Sequence, residues 1–381
     1  MSAYPRRAVL RSGAAAALGG AGLLASACRS APAEGSEAAR DSPSSRSRPR
    51  GRMPAESRPH ERTLMAWPPR DSVWGSDTPA VRRDIARIAR AIAEHEPVEL
   101  AASPEEVKGA QRACGAGVDV VPVPVDDLWM RDSGPTFVTG SDGVSALDFH
   151  FNGWGGKQEH QRDALVSRRV LERHRVPRTS AGITAEGGAL EVDGAGTLLV
   201  TESSLVNANR NPGMSRAEIE GHLKEPLGVS TVIWLKGVRG RDITDYHVDA
   251  LARFAEPGVV LLSRPSAGTP RVWVRAYEQA RGVLEEARDA RGKKLEIIDL
   301  DEPDPGELGQ RGSEFLGCYA NYYVVNGAVI VPRFGDARTD DRAASLLREL
   351  HPGRVVVPLE INMLAEGGGG IHCSTQQQPA A

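Results

Sequence analysis

Short apolar runs rich in Val and Ile, bordered by glycine or proline, recur along most of the chain. They are Val98–Ala101, Val118–Val125, Thr197–Thr201, Val229–Leu235, Val259–Leu262, Leu295–Leu300, Tyr322–Pro332 and Val355–Leu359. Their β-branched content and short length predict strands. Amphipathic stretches alternate with them. Ala80–Glu94 places Ile85, Ile88, Ala91 and Ile92 at helical spacing. Ser215-Arg216-Ala217-Glu218 is a capping box that opens a further helix. Val272–Arg291 and Arg338–Leu350 complete the helical set. The rhythm of strand, strand, helix predicts an α/β fold. The 41 glycines and 26 prolines supply the turns it needs. Ala185-Glu186-Gly187-Gly188 recurs as Ala365-Glu366-Gly367-Gly368, an echo that points to pseudo-symmetric repeats around a common centre.

The first part of the chain departs from this pattern. Arg6-Arg7 precede a small-residue apolar run from Ala14 to Ala25, too short to span a bilayer. Ala25-Ser26-Ala27 supplies a cleavage signal, so residues 1–27 read as a twin-arginine export signal. Cys28 follows directly, and the alternative reading is a lipoprotein signal that anchors this cysteine to a membrane. Residues 28–57 read as a disordered Ser/Pro/Arg tether, and 58–381 as the folded body. Charge divides the same way. Residues 1–52 hold nine arginines and three acids, which leaves a body with 38 basic and 47 acidic residues. An acidic body is a poor nucleic-acid binder and a suitable host for a small cation. If Cys28 leaves with the leader, Cys114, Cys318 and Cys373 remain, so at least one thiol is free.

Four segments carry candidate chemistry. Cys373 ends the run Glu366-Gly-Gly-Gly-Gly-Ile-His372-Cys373. Four consecutive glycines cost conformational entropy, so the backbone there must pass close to something, and the cysteine is placed as a nucleophile. Cys114 and Cys318 read as structural. His247 and Asp249 lie two apart in Asp245-Tyr246-His247-Val248-Asp249, and on a strand they would share a face. Asp132, in Trp129-Met130-Arg131-Asp132, falls at a predicted strand end, with Trp129 able to clamp a cation. Glu186 precedes a glycine pair, and Phe151–Lys157 reads as a lid or wall. Neither CxxC nor HExxH is present, so no metal is expected.

Together these motifs resemble one family. Trp129-x-x-Asp132, Phe151–Lys157, Glu186-Gly-Gly, Asn207–Pro212, His247-x-Asp249 and the terminal Gly-Gly-Gly-Gly-Ile-His-Cys373 stand in the order seen in agmatine deiminases and the related bacterial peptidylarginine deiminases. His60-Glu61-Arg62-Thr63 through Pro68 is similar to the start of that domain. The resemblance implies a pentein, an α/β propeller of about five ββαβ units around a central active site, that hydrolyses C–N bonds of linear amidines. It implies Cys373 as nucleophile and His247 as general acid/base. Asp132 and Asp249 would grip a guanidinium. Glu186 would orient His247 or complete the acidic cage, and Trp129 would line the pocket. No cofactor is implied. Tyr246 stands where many agmatine deiminases have glycine, and the substrate lies open between agmatine, free arginine and peptidyl arginine. A non-catalytic exported binding protein for guanidinium compounds is the reading from a different class.

Overall fold

The computed structural model describes residues 51–70 and 72–381. The leader, its cleavage site and Cys28 lie outside the described residues. Sixteen strands are present among those described: β1 (His60–Ala66), β2 (Val98–Ala102), β3 (Val118–Pro122), β4 (Thr136–Gly140), β5 (Gly143–Asp148), β6 (Arg178–Ser180), β7 (Glu191–Val192), β8 (Thr197–Thr201), β9 (Thr231–Leu235), β10 (Ala252–Glu256), β11 (Val259–Arg264), β12 (Glu296–Asp301), β13 (Tyr323–Val325), β14 (Ala328–Arg333), β15 (Val355–Glu360) and β16 (Thr375–Pro379).

They form five separate sheets with one plan. In β4-β5-β6, β7-β8-β9, β10-β11-β12 and β13-β14-β15 the first pair is antiparallel and the second parallel. The parallel step is bridged by a helix, respectively Val166–His174, Arg216–Leu227, Arg271–Glu286 and Ala337–Leu350. A parallel pair needs such a crossover because its strand ends lie at opposite edges. The fifth unit is assembled from both ends of the chain. The C-terminal β16 pairs antiparallel with β1, and helix Thr78–Ala93 leads from β1 to the parallel β2. β3 extends this sheet. Five ββαβ units closed by the chain termini make this fold a pentein.

Helix placement follows the apolar stripe. Ile85, Ile88 and Ile92 of helix Thr78–Ala93 are buried in the largest apolar cluster, with Leu100, Tyr323, Val329 and Leu347. The capping box at Ser215 forms as predicted: its side chain accepts from the Glu218 N–H, and Glu218 accepts from the Ser215 N–H. No helix among the described residues is long and apolar enough to cross a membrane.

Several expectations need correction. Tyr322–Pro332 is a hairpin, not one strand: it folds back at Asn326-Gly327, where Gly327 takes φ +78°. Asn-Gly between apolar runs is a strong hairpin signal. The helix expected over Val272–Arg291 stops at Glu286, because Asp289 accepts the Arg291 and Lys293 N–H groups in a turn. The folded body also starts before residue 58. Arg52 exchanges backbone hydrogen bonds with Thr139, Met53 is buried, and Glu56 pairs with Arg131, Arg253 and His372. The composition of residues 52–57 concealed this, since their partners lie far along the chain.

Candidate active site

Each junction between units contributes polar side chains to one buried centre. Asp132 comes from the β3–β4 junction and Glu186 from β6–β7. His247 and Asp249 come from β9–β10, Asn321 from β12–β13 and Cys373 from β15–β16. All six are buried. Short helical turns carry three of them, Asp132, Asp249 and Asn321: Met130–Ser133, Val248–Ala250 and Tyr319–Asn321. The expected strand geometry is therefore replaced. Asp132 sits inside a helical turn rather than at a strand end. His247 and Asp249 flank the start of a 3-10 turn, with no strand through them.

His247 is aimed by an unusual backbone. Asp245 and Tyr246 before it both have positive φ, +60° and +68°. Left-handed non-glycine residues are strained and persist only where neighbours hold them. Asp245 accepts from Arg210 Nη1 at 2.5 Å, Lys157 Nζ at 2.7 Å and the Gly240 N–H at 2.7 Å. The Tyr246 ring packs on Trp273, with centroids 4.9 Å apart. His247 Nε2 then lies 3.2 Å from Glu186 Oε2, while Nδ1 has no hydrogen-bond partner and faces Asp132 Oδ1 at 3.7 Å. Glu186 is fully buried and orients the ring, held in turn by Arg210 Nε at 2.9 Å.

Asp132 accepts from the Gly188 N–H at 3.1 Å and the Trp154 indole N–H at 2.9 Å. Trp154 reaches it from the Phe151–Lys157 loop at φ +55°. Asp249 Oδ2 lies 2.8 Å from His372 Nδ1 and 3.5 Å from Cys373 Sγ. Asn321 brackets the cysteine: its amide donates to Sγ at 3.2 Å, and its oxygen accepts from the Cys373 N–H at 3.2 Å. The glycines exist for close approach. A Cβ on Gly188 would stand 2.6 Å from His247 Nδ1, 2.9 Å from Asp132 Oδ1 and 3.0 Å from Asp249 Oδ2. In the terminal run, side chains would collide with Trp74, Trp129 and Asn321, and Gly368 takes φ +82°. Trp129 thus packs against the run that delivers Cys373.

The electrostatics follow from burial among carboxylates. Burial raises the Asp132 carboxyl, and Asp249 and Glu186 add to the rise against the pull of His247 and Trp154. For Asp249, burial is outweighed by its bond to His372 and by His247 and Arg253, which hold its carboxyl low. Burial lowers His247, but Asp132, Glu186 and Asp249 prevail and bring it up to about 9. The ring is therefore cationic at neutral pH. Burial, then Asp249 and Asp132, push the Cys373 thiol well above its usual range. Cys373 is thus a protonated thiol in the free site, and a cation lodged between the two aspartates would lower it.

The structure brings together Cys373, His247, Glu186, Asp132 and Asp249, and sets Trp129 beside them. Cys114 and Cys318 are buried and free, away from the hydrogen bonds around Cys373. Sequence reasoning did not single out Arg210, Trp154, Asn321, His372 or Glu56. Arg210 and Trp154 lie inside segments already noted as motifs. Asn321 had the five-fold repeat as its one signal, since four junctions supplied polar groups and the fifth should as well.

Five ββαβ units around a buried cysteine, histidine and acidic cluster define a pentein hydrolase of C–N bonds in linear amidines. Residues 52–379 match the profile of the Porphyromonas-type peptidyl-arginine deiminase family, and the chain belongs to that family. The agmatine deiminase of Stutzerimonas stutzeri is 40% identical over 352 residues, spanning 86% of this chain and 95% of that protein. That of Medicago truncatula is 37% identical over 360 residues, spanning 86% and 96%. Among solved structures, the agmatine deiminase of Enterococcus faecalis superposes with a TM-score of 0.80 at 30% identity, covering 87% of this chain and 96% of the other.

Proposed function

We propose that this protein is an exported deiminase that hydrolyses agmatine to N-carbamoylputrescine and ammonia through an amidino-cysteine intermediate. One observation carries the reading: a single position beside Gly188 is bordered at once by the Asp132 and Asp249 carboxylates and the bare Nδ1 of His247, and Asp249 in turn touches the Cys373 thiol. A guanidinium is flat, permanently charged and edged with N–H donors. Two carboxylates in a dry site fix it in one plane and compensate its charge.

The bound cation favours loss of the Cys373 proton to solvent, since His247 is already cationic, and the thiolate adds to the guanidinium carbon. His247 Nδ1 gives its proton to the departing nitrogen as the C–N bond breaks and ammonia leaves. The planar amidino-thioether remains. Water then adds to its carbon, its proton passing to the now neutral His247. Collapse breaks the C–S bond, the adduct's hydroxyl proton passes to the departing sulphur, and the thiol is restored as the neutral ureido product leaves. Glu186 fixes the ring so that Nδ1 serves both transfers.

Agmatine is favoured over peptidyl arginine by the enclosure of Cys373, which is 8% exposed, and by the relatives' own activities. Ammonia release measured across agmatine, free arginine and arginyl peptides tests this. Turnover confined to arginyl peptides would replace the substrate, and guanidinium binding without ammonia release would make the protein a binding protein. Cys373→Ser should abolish ammonia release in a folded protein. Asp132→Asn and Asp249→Asn should each lose roughly 2–5 kcal/mol of transition-state stabilisation. Export rests on Arg6-Arg7, the apolar run and Ala25-Ser26-Ala27. Cell fractionation of the full chain, with mass analysis of the mature N-terminus and of Cys28, tests it.

A further inference from the structure

The residue before the nucleophile is as enclosed as the nucleophile and has no part in the steps above. His372 is 2% exposed, and each ring nitrogen lies on a carboxylate. Nδ1 is 2.8 Å from Asp249 Oδ2, and Nε2 is 2.9 Å from Glu56 Oε2. The Asp249 oxygen that meets His372 is the one 3.5 Å from Cys373 Sγ.

Glu56 is firmly seated for a residue that precedes the first strand. Its side chain is 11% exposed. It receives Arg253 Nη2 at 3.0 Å, Arg131 Nη2 at 3.3 Å and the Val324 N–H at 2.9 Å. Burial opposes its charge, but Arg253, His372 and Arg131 hold its carboxyl well below the usual range. Arg131 also donates from its side chain to the His372 carbonyl at 3.3 Å and from its backbone to the Cys373 carbonyl at 3.1 Å. Arg253 is anchored independently on Glu191 at 2.8 Å.

A carboxylate beside a thiol that must ionise has reason to turn away, and a free carboxylate rotates easily. Asp249 can keep Oδ2 both at the sulphur and at the edge of the space beside Gly188 only if something fixes its plane. We infer that His372, anchored by Glu56, is a positioning residue that sets the Asp249 carboxylate for a guanidinium over Cys373. Glu56 is then part of the active site rather than of a tether. This rests on the reading of Asp249 as a guanidinium-binding carboxylate.

Two substitutions separate positioning from mere packing. The side-chain amide nitrogen of asparagine stands near the place of Nδ1, and that of glutamine near the place of Nε2. His372→Asn keeps the donor to Asp249 and loses Glu56; His372→Gln keeps Glu56 and loses Asp249. A charge-assisted hydrogen bond of this kind corresponds to about 10- to 100-fold in rate. His372→Asn should stay within about tenfold of the parent kcat/KM, and His372→Gln should fall roughly a further 10- to 100-fold. The second readout is alkylation of Cys373, followed by peptide mass, with cationic 2-chloroacetamidine against neutral 2-chloroacetamide. The parent should prefer the amidinium, His372→Asn should keep part of that preference because the donor to Asp249 stays without its anchor, and His372→Gln should lose it. Equal kcat/KM and equal preference in the two folded variants would overturn the inference. If His372→Gln does not fold, Glu56→Asp replaces it. That change keeps the charge for Arg131 and Arg253 and withdraws the carboxylate from His372. It should lower the amidinium preference, and an unchanged preference would refute the role of Glu56. A parent enzyme that neither prefers the amidinium nor releases ammonia would instead refute the guanidinium site, and this inference with it.

Discussion

Asp249 Oδ2 stands 3.5 Å from Cys373 Sγ, a carboxylate set against the thiol that has to ionise. Burial, Asp249 and Asp132 keep that thiol protonated in the free protein. A guanidinium between the aspartates reverses the local field, so binding should expel the thiol proton. Titration with a guanidinium ligand in weak buffer near neutral pH should release about one more proton per site in the parent than in Cys373→Ala. Equal release in the two would show that binding does not ionise the thiol.

Trp154 supplies one of the two N–H groups on Asp132, at 2.9 Å. Trp154→Phe retains most of the ring and removes the donor. A hydrogen bond to a buried charge is worth about 1.5–3 kcal/mol, so kcat/KM should fall about 10- to 150-fold. Steady-state kinetics should show this with little change in thermal unfolding, and an unaltered kcat/KM would mean that Gly188 alone fixes the carboxylate.

His247 makes the fold sensitive to alkaline pH. Its folded pKa is about 9, against an ordinary value of 6.5. The unfolded chain gives up that proton first. The stabilisation from His247 is therefore complete below pH 6.5 and fades as pH rises through about 9. Urea unfolding of the free protein should lose stability across that window, on the order of a few kcal/mol. His247→Gln should flatten the slope, and a parent with constant stability there would contradict the proposed charge state. The kcat/KM profile should fall on the same alkaline limb as the general acid loses its proton.

Gly188 is bordered at once by His247, Asp132 and Asp249. Gly188→Ala would force a methyl to 2.6 Å from His247 Nδ1 and against both aspartates. A displacement near 1 Å costs about 100-fold in rate. Gly188→Ala should therefore lose at least that in kcat/KM while the five sheets still form, as checked by far-ultraviolet circular dichroism. Near-parental turnover would show that the centre is looser than described.

Residues that act within a few positions of their own segment were legible beforehand. The Ile85–Ile92 stripe and the Ser215 capping box fold as their spacing predicts, because both depend on neighbours three or four residues away. The glycine run before Cys373 announced a close approach, although not that Trp74, Trp129 and Asn321 were what it approached. Glu186 was less legible. Its segment echoes Ala365–Gly368, yet Glu186 is buried against His247 while Glu366 is partly exposed and accepts from the Gly312 N–H.

What the chain alone determined was the chemical inventory and the alternation of strand and helix, since both are written in local spacing and residue type. The tertiary structure decided which nitrogen of His247 is bare, that Asp132 and Asp249 face one point, and that Glu56, Arg210 and Asn321 belong to the same centre. Those facts depend on how five units close into a ring, with β16 pairing back onto β1. Contacts across that ring join segments tens to hundreds of residues apart, and no short-range pattern encodes them.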